Sequence, residues 1–326
     1  MRNKRCAVAA LGLAIVAFGA ALAGDFDKEF AEAARLQQQG KTDEAIAAYR
    51  QLADVAGGTD EGHTAALQVP AILAAMGRTP QAIAEYRKYL ATFPASVRRG
   101  SALLGLAQIH VAAGNLTEAE RIYASLPAEI PQDRDTPNRV RGLLGVAYLR
   151  GTNTQERQRG AGMVLETLSV RPIYWGAHSC LTPARAAGIE SVAVPLQWRT
   201  MLQSLVEDGR RLTLRDGDVI TIINEASCAL AEQRLRNGER QKAADLYASA
   251  LAHAFYPHHV VVPFTRLTDE KLTSLLDRGA WLSALSNGVA ALQLRIQAQP
   301  GEAGGHLPWI ERLQKALNEA QAVLGK

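Results

Sequence analysis

A recurrence every 37 residues constrains this chain more than any other feature. Gly40, Gly77, Gly114 and Gly151 stand at that interval, and after each of the first three an alanine follows five places on (Ala45, Ala82, Ala119) and a tyrosine nine places on (Tyr49, Tyr86, Tyr123). The segments GKTDEAIAAYRQL, GRTPQAIAEYRKYL and GNLTEAERIYASL are therefore variants of one unit. A fixed period of this length predicts a stack of small supersecondary units, none able to bury its apolar side alone. The residue types assign the parts. The glycine can take the left-handed conformation that ends a first helix, Thr42, Thr79 or Thr117 lies near the next helix start, and the alanine lets two helices approach closely. The tyrosine fills the space between hairpins. Phe93-Pro94 and Ile130-Pro131 end the second helices, because proline blocks continuation and restricts its predecessor.

Departures from the pattern are equally specific. Pro70 sits where a first helix calls for a small residue, which predicts a late start or a kink. After Gly151 the segment TNTQERQRG reads as an expanded turn, and the tyrosine is missing. A further unit returns as AEQRLRNGERQKAADLYASAL, with Ala231, Gly238, Ala243, Tyr247 and Ala250 at the same spacings. A weaker one follows at Gly279, with Ala284 and Ala291 in place and Gly288 where an aromatic would be. Residues 307–324 carry apolar residues at helical spacing and read as a terminal capping helix. Between them, 169–218 is not repeat-like. VPLQWRTMLQSLVEDG reads as a helix, and RLTLRDGDVITII as either a hairpin at Asp216-Gly217 or, preferred here, a helix start capped near Asp218.

At these residues the chain resembles the tetratricopeptide repeat family. The resemblance is carried by Leu106-Ala107, Gly114, Ala119, Tyr123 and Pro131 in the third unit and by Ala82, Tyr86 and Pro94 in the second. It implies an all-α fold: a superhelical stack of antiparallel helix pairs with an irregular insertion and a C-terminal capping helix. It also implies a concave face, lined by first helices, that holds a partner. By helical spacing and this analogy the inner positions include Leu67, Ala71 and Ala74, then Leu104, Gln108 and Val111. Arg141, Tyr148, Glu232 and Arg236 would supply polar ends. A mostly apolar, uncharged trough suits an amphipathic helix or apolar peptide.

The N-terminus points to export. Arg2, Lys4 and Arg5 precede an apolar run from Ala7 to Leu22 that closes on Ala21-Leu22-Ala23, the pattern of a secretory signal peptide cut after Ala23. The expected organisation is a signal peptide at 1–23, a first array at 24–168, a connection at 169–218, and repeat helices with a cap at 219–326. With 1–23 removed, three of the 36 basic residues and none of the 32 acidic ones are lost, so the basic precursor becomes a near-neutral product. That balance offers no concentrated cationic face for nucleic acid. The expected location is the periplasm or the exterior, with no membrane span after cleavage and with another envelope or secreted protein as partner. A polysaccharide is the rival partner, since Trp175 or Tyr148 could stack on sugar rings.

Catalytic signatures are missing: no nucleophile elbow, phosphate-cradling glycine loop, paired zinc motif or haem attachment sequence occurs. The expectation is a non-enzyme without cofactor or metal. His253, His258 and His259 lie close together, but adjacent histidines point in different directions in most backbones. Asp216 and Asp218 make too little of a calcium loop. An enzyme site, if there were one, would fall in 170–218 around His178, Arg185, Trp198 and Asp216. Cys180 and Cys228, the two cysteines outside the signal segment, lie 48 residues apart; export permits a disulfide, but spacing alone leaves the bond open.

Overall fold

The computed structural model describes residues 26–211, 217–252 and 258–267, with scattered positions from 283 to 322. The signal segment, Asp216, His253, Gly279, Trp281, Ala284, Ala291 and Trp309 lie outside the described residues, as does most of 307–324. Among the described residues every regular element is a helix. The chain divides into two compact units, one ending at Val140 and one beginning at Arg141.

The first unit is a run of helical hairpins. It contains α1 (residues 26–38), α2 (Thr42–Ala56), α3 (Asp60–Ala75), α4 (Thr79–Thr92), α5 (Arg99–Ala112), α6 (Leu116–Glu129) and the start of α7 (Asp135–Leu149). Each helix from α2 to α5 packs on the next, and α3 also touches α5. The repeat glycines explain the turns. Gly40, Gly77 and Gly114 have φ of 76°, 73° and 76°, a left-handed conformation that costs a residue with a Cβ. At each one the same pair of backbone bonds closes the helix. Around Gly77, the Gly77 N–H donates to Ala74 O (2.9 Å) and the Arg78 N–H to Leu73 O (2.9 Å), the crossed bonds of a Schellman ending. The third residue back from these helix ends is Leu36, Leu73 and, in the third hairpin, His110.

The aromatic positions bury as the repeat requires, with one exception. Tyr49 is 2% exposed and meets the Phe30 ring edge-on, centroids 5.1 Å apart. Tyr86 lies against Gly105 of α5, where an added Cβ would stand 2.5 Å from the ring Cζ. The alanine partners Ala45, Ala82 and Ala119 are fully buried. Tyr123 is only half-buried. Helix α3 runs unbroken from Asp60 through Pro70 to Ala75, so the expected late start does not occur; Thr59 caps it, accepting from the Gly62 N–H at 3.1 Å. Thr42 and Thr79 are first helical residues rather than caps, and the cap residues Lys41 and Arg78 make no side-chain capping hydrogen bond.

The second unit is built around one central helix. It holds the rest of α7, then α8 (Thr154–Leu168), α9 (Trp175–His178), α10 (Leu181–Ala186), a one-turn 3-10 helix at Ile189–Ser191, α11 (Pro195–Arg211), α12 (Gly217–Arg236), α13 (Arg240–Ala252) and α14 (His258–Leu267). TNTQERQRG is not an expanded turn. Asn153 caps α8 by accepting from the Gln155 and Glu156 N–H groups (2.9 and 3.2 Å), and the segment from Thr154 is helical. Gly151 accordingly is not left-handed, whereas Gly238, which ends α12, has φ of 76°. GDVITII is helical: α12 starts at Gly217. Its residues 219–224 and 226–231 are buried on every side, as expected for a helix surrounded by others. It packs against α9, α10, α11, α13 and α14. Asn224 joins three of these helices, its amide donating to Ala250 O (2.8 Å) and His259 O (3.3 Å).

Candidate functional site

In the first unit the inner-face expectation concerns α3 and α5. Leu67 and Leu104 are one repeat apart, as are Ala71 and Gln108, and Ala74 and Val111. Ala71 and Gln108 are exposed, and Leu67, Ala74 and Val111 are half-buried. Leu104 is 6% exposed and serves packing more than display. Ala34 of α1, one repeat before Ala71, is half-buried, so the strip 34, 71, 108 carries no charge.

Charged side chains instead join neighbouring hairpins. Arg78 pairs with Asp43 (2.8 Å), Arg50 with Glu85 (2.5 Å), and Arg98 grips both oxygens of Asp60 (2.8 and 2.6 Å). The Arg98 guanidinium holds the Asp60 carboxyl below the usual carboxylate range. These pairs are solvent-exposed, and screening by water leaves each with little weight in stability. The first two border a groove of about 470 Å³ between α2 and α4, floored by Ile46, Ala47, Leu73 and Ala84. The sequence reading missed this concavity, since it looked only to the first helices. Its signal was present in the sequence as opposite charges at Asp43 and Arg78 and at Arg50 and Glu85, 35 residues apart in both cases.

In the second unit the expected polar ends of a trough are already engaged. Glu232 accepts from Arg185 (2.9 Å), Arg236 pairs with Glu190 (2.5 Å), and Glu190 also reaches Arg185 (3.8 Å). Thr182 donates to Glu225, about two helical turns before Glu232 on α12. This face of α12, marked in the sequence as open, is therefore covered by the insertion, whose Leu181, Ala184 and Ile189 are fully buried beneath the ion pairs. Arg141 bonds Thr167 Oγ1 (3.0 Å) and lies 3.7 Å from Glu166. Tyr148 is 6% exposed with the Arg159 guanidinium 5.0 Å over its ring, so that face is not free for stacking. Trp175 is 45% exposed.

Of the residues singled out for chemistry in 170–218, His178, Arg185 and Trp198 serve separate structural roles. His178 is fully buried, with Nε2 3.1 Å from Leu168 O and Nδ1 3.0 Å from Tyr174 O; burial pushes its pKa down. Arg171 fixes the same loop to α11, bonding Asp208 (2.5 Å), Ser204 (2.7 Å) and Leu168 O (2.7 Å). Trp198 is 1% exposed and Arg185 lies in the ion-pair network. His259 is buried, and among the described residues no group of three or more metal-ligating side chains gathers. The disulfide left open by the spacing is not formed. Cys180 and Cys228 are free buried thiols held by different neighbours: Cys180 fills the space over Gly142 and beside Arg141, while Cys228 lies beside Arg185, Glu225 and Glu232. Burial pushes both thiols up from 9.0 to about 12, which lowers the thiolate population about a thousandfold. Iodoacetamide at pH 8 is expected to spare both in the native chain and label both in urea; labelling at free-thiol rates in the native chain would contradict their burial.

Hairpins closed by left-handed glycines and joined by ion pairs define a helical-repeat architecture. Residues 73–138 match the tetratricopeptide repeat family model, so this part of the chain is tetratricopeptide-repeat-like. Among solved structures it is similar to a tetratricopeptide repeat protein from Parabacteroides merdae ATCC 43184, at 12% identity and a TM-score of 0.39, over 90% of this chain and 98% of that one. It is also similar to a chain of Naa15/Naa10 bound to HypK-THB, at 15% identity and a TM-score of 0.32, over 91% of this chain and 39% of that one. No curated protein matches. The assignment rests on the repeat residues and the family match.

Proposed function

We propose that this chain is an exported scaffold that holds a protein or peptide partner in envelope or secretion-related assembly, in the periplasm or outside the cell. The observation that carries the reading is the uncharged strip through Ala34, Ala71 and Gln108 on the first helices. A surface of this kind favours an apolar or amphipathic segment, whose affinity comes from burial across several hairpins. Export is supported by the basic, apolar and small-residue succession of residues 1–23. Repeat proteins of this class are generally binding scaffolds rather than catalysts, and His178, Arg185 and Trp198, which suggested chemistry, serve structural roles.

The test is a photocrosslinking amino acid at Gln108 in the full chain, produced in intact cells, with a second placed at exposed Arg121 on α6. A discrete adduct is expected from Gln108 alone, and the adducted chain is expected to begin at Gly24. Adducts of equal yield from both positions, or none from Gln108, would overturn the inner-face reading. A retained N-terminus on the captured chain would overturn export.

A further inference from the structure

The three consecutive Schellman endings of the first unit share the same pair of backbone bonds, and at the residue that closes them one side chain departs in kind. The residue whose carbonyl closes the ending is Leu36 in α1, Leu73 in α3 and His110 in α5, each 37 residues after the last. This position ordinarily carries an apolar side chain, which packs against the residue beyond the glycine. Leu73 is 4% exposed and floors the outer groove. His110 is 3% exposed, and neither ring nitrogen has a hydrogen-bond partner. A buried imidazole without a partner forfeits its hydrogen bonds with water, so a leucine would serve packing better.

We propose that His110 is a proton-operated latch on the third hairpin: neutral, it seats the end of α5 between α4 and α6, and protonated, it releases that corner. The charges acting on it are Glu118 and Arg121 of α6 and Arg87 of α4. Glu118, the one anion, is already held by Arg121 through two bonds (3.1 and 3.0 Å). A proton on His110 would therefore enter a buried site facing two cations and a committed carboxylate. The C-terminal end of α5 favours a cation through its dipole, but burial opposes it and is the larger effect, holding the His110 pKa below its ordinary value. Release would spread along the backbone, because the His110 carbonyl accepts the Asn115 N–H (2.8 Å) that closes the ending. Gln108 and Val111 lie within two residues on the same helix. Resting on the inner-face reading above, the latch makes partner binding weaken in acid.

The direction follows from proton linkage. The closed corner has a lowered imidazole pKa and the open corner an ordinary one near 6.5, so closure is fully favoured above about 6.5 and lost as pH falls below it. With the closed form unprotonated throughout, the opening constant rises up to about tenfold between pH 7.5 and 5.5.

Hydrogen exchange of the full chain tests this without any partner, after correction for intrinsic exchange rates. The Gly114 and Asn115 amides are expected to open up to about tenfold more often at pH 5.5 than at 7.5, and His110→Leu is expected to remove that difference. The leucine matches Leu73 one repeat earlier; His110→Gln, also neutral, serves as a second variant should leucine disturb packing. Equal pH responses of these amides in wild type and both variants would overturn the latch. A latch that behaves as expected, with no adduct from the Gln108 crosslinker, would leave the switch standing and sink the binding face.

Discussion

Tyr86→Ala is expected to cost the first unit about 3–5 kcal/mol, the range for removing a large buried aromatic. Its ring is 6% exposed and lies between hairpins, against the α5 backbone at Gly105. The α5 residue against the ring is Gly105, which has no side chain to move into the vacated space. Gly105→Ala is expected to be damaging from the opposite direction, because its new Cβ would sit 2.5 Å from Cζ and 2.9 Å from Cε1 of that ring. Helix propensity favours alanine over glycine by about 1 kcal/mol, so a net loss of about 1–3 kcal/mol measures the overpacking. The decisive observation is the double variant. If ring and glycine are one contact, Tyr86→Ala with Gly105→Ala loses less than the sum of the singles, with a coupling of about 1 kcal/mol or more. Urea unfolding followed by circular dichroism at 222 nm supplies the values, and strict additivity would show that the two residues do not share the space between the hairpins.

The hairpins were legible because their terminators are local. A glycine at positive φ, crossed backbone bonds and a proline after the second helix are written into a dozen residues, and Gly40, Gly77, Gly114 and Gly238 all take the conformation their spacing predicts. Lining up Leu36, Leu73 and His110 would also have found the odd residue of the third hairpin from sequence alone. The insertion was opaque for the opposite reason. WGAH and LTPARA are too short to be helical by themselves, and they hold their shape only through burial against α8 and α12. Glu232 and Arg236 look like surface residues on a helical projection, because such a projection says nothing about a distant segment arriving with Arg185 and Glu190. Cys180 and Cys228 illustrate the same limit: export chemistry permits a bond, and only three-dimensional placement decides it.

The missing tyrosine of the fourth unit yields the sharpest contrast in sign. Nine places after Gly151 stands Gly160, and the space a tyrosine would take is filled by the close approach of α7 to α8. A Cβ on Gly160 would lie 2.6 Å from Gly145 O, 2.8 Å from Tyr148 Cβ and 2.9 Å from Leu149 N; one on Gly145 would lie 2.9 Å from Gly160 O. These obstacles are mostly backbone, which cannot rotate away, so the two helices would have to separate. Gly160→Ala is therefore expected to destabilise the second unit by about 1–3 kcal/mol despite the gain in helix propensity. Gly162, two residues along the same helix, has nothing within 4 Å of the place its Cβ would occupy. There the propensity acts alone, and Gly162→Ala is expected to stabilise by about 0.5–1 kcal/mol. All four tryptophans lie at or beyond Trp175, so tryptophan emission during urea unfolding reports this unit selectively. Restoring the repeat's own residue with Gly160→Tyr should be the worst of the three, because the position has been given over to helix contact and no longer has room for a ring. A Gly160→Ala protein as stable as Gly162→Ala would mean that α7 and α8 do not meet through their glycines.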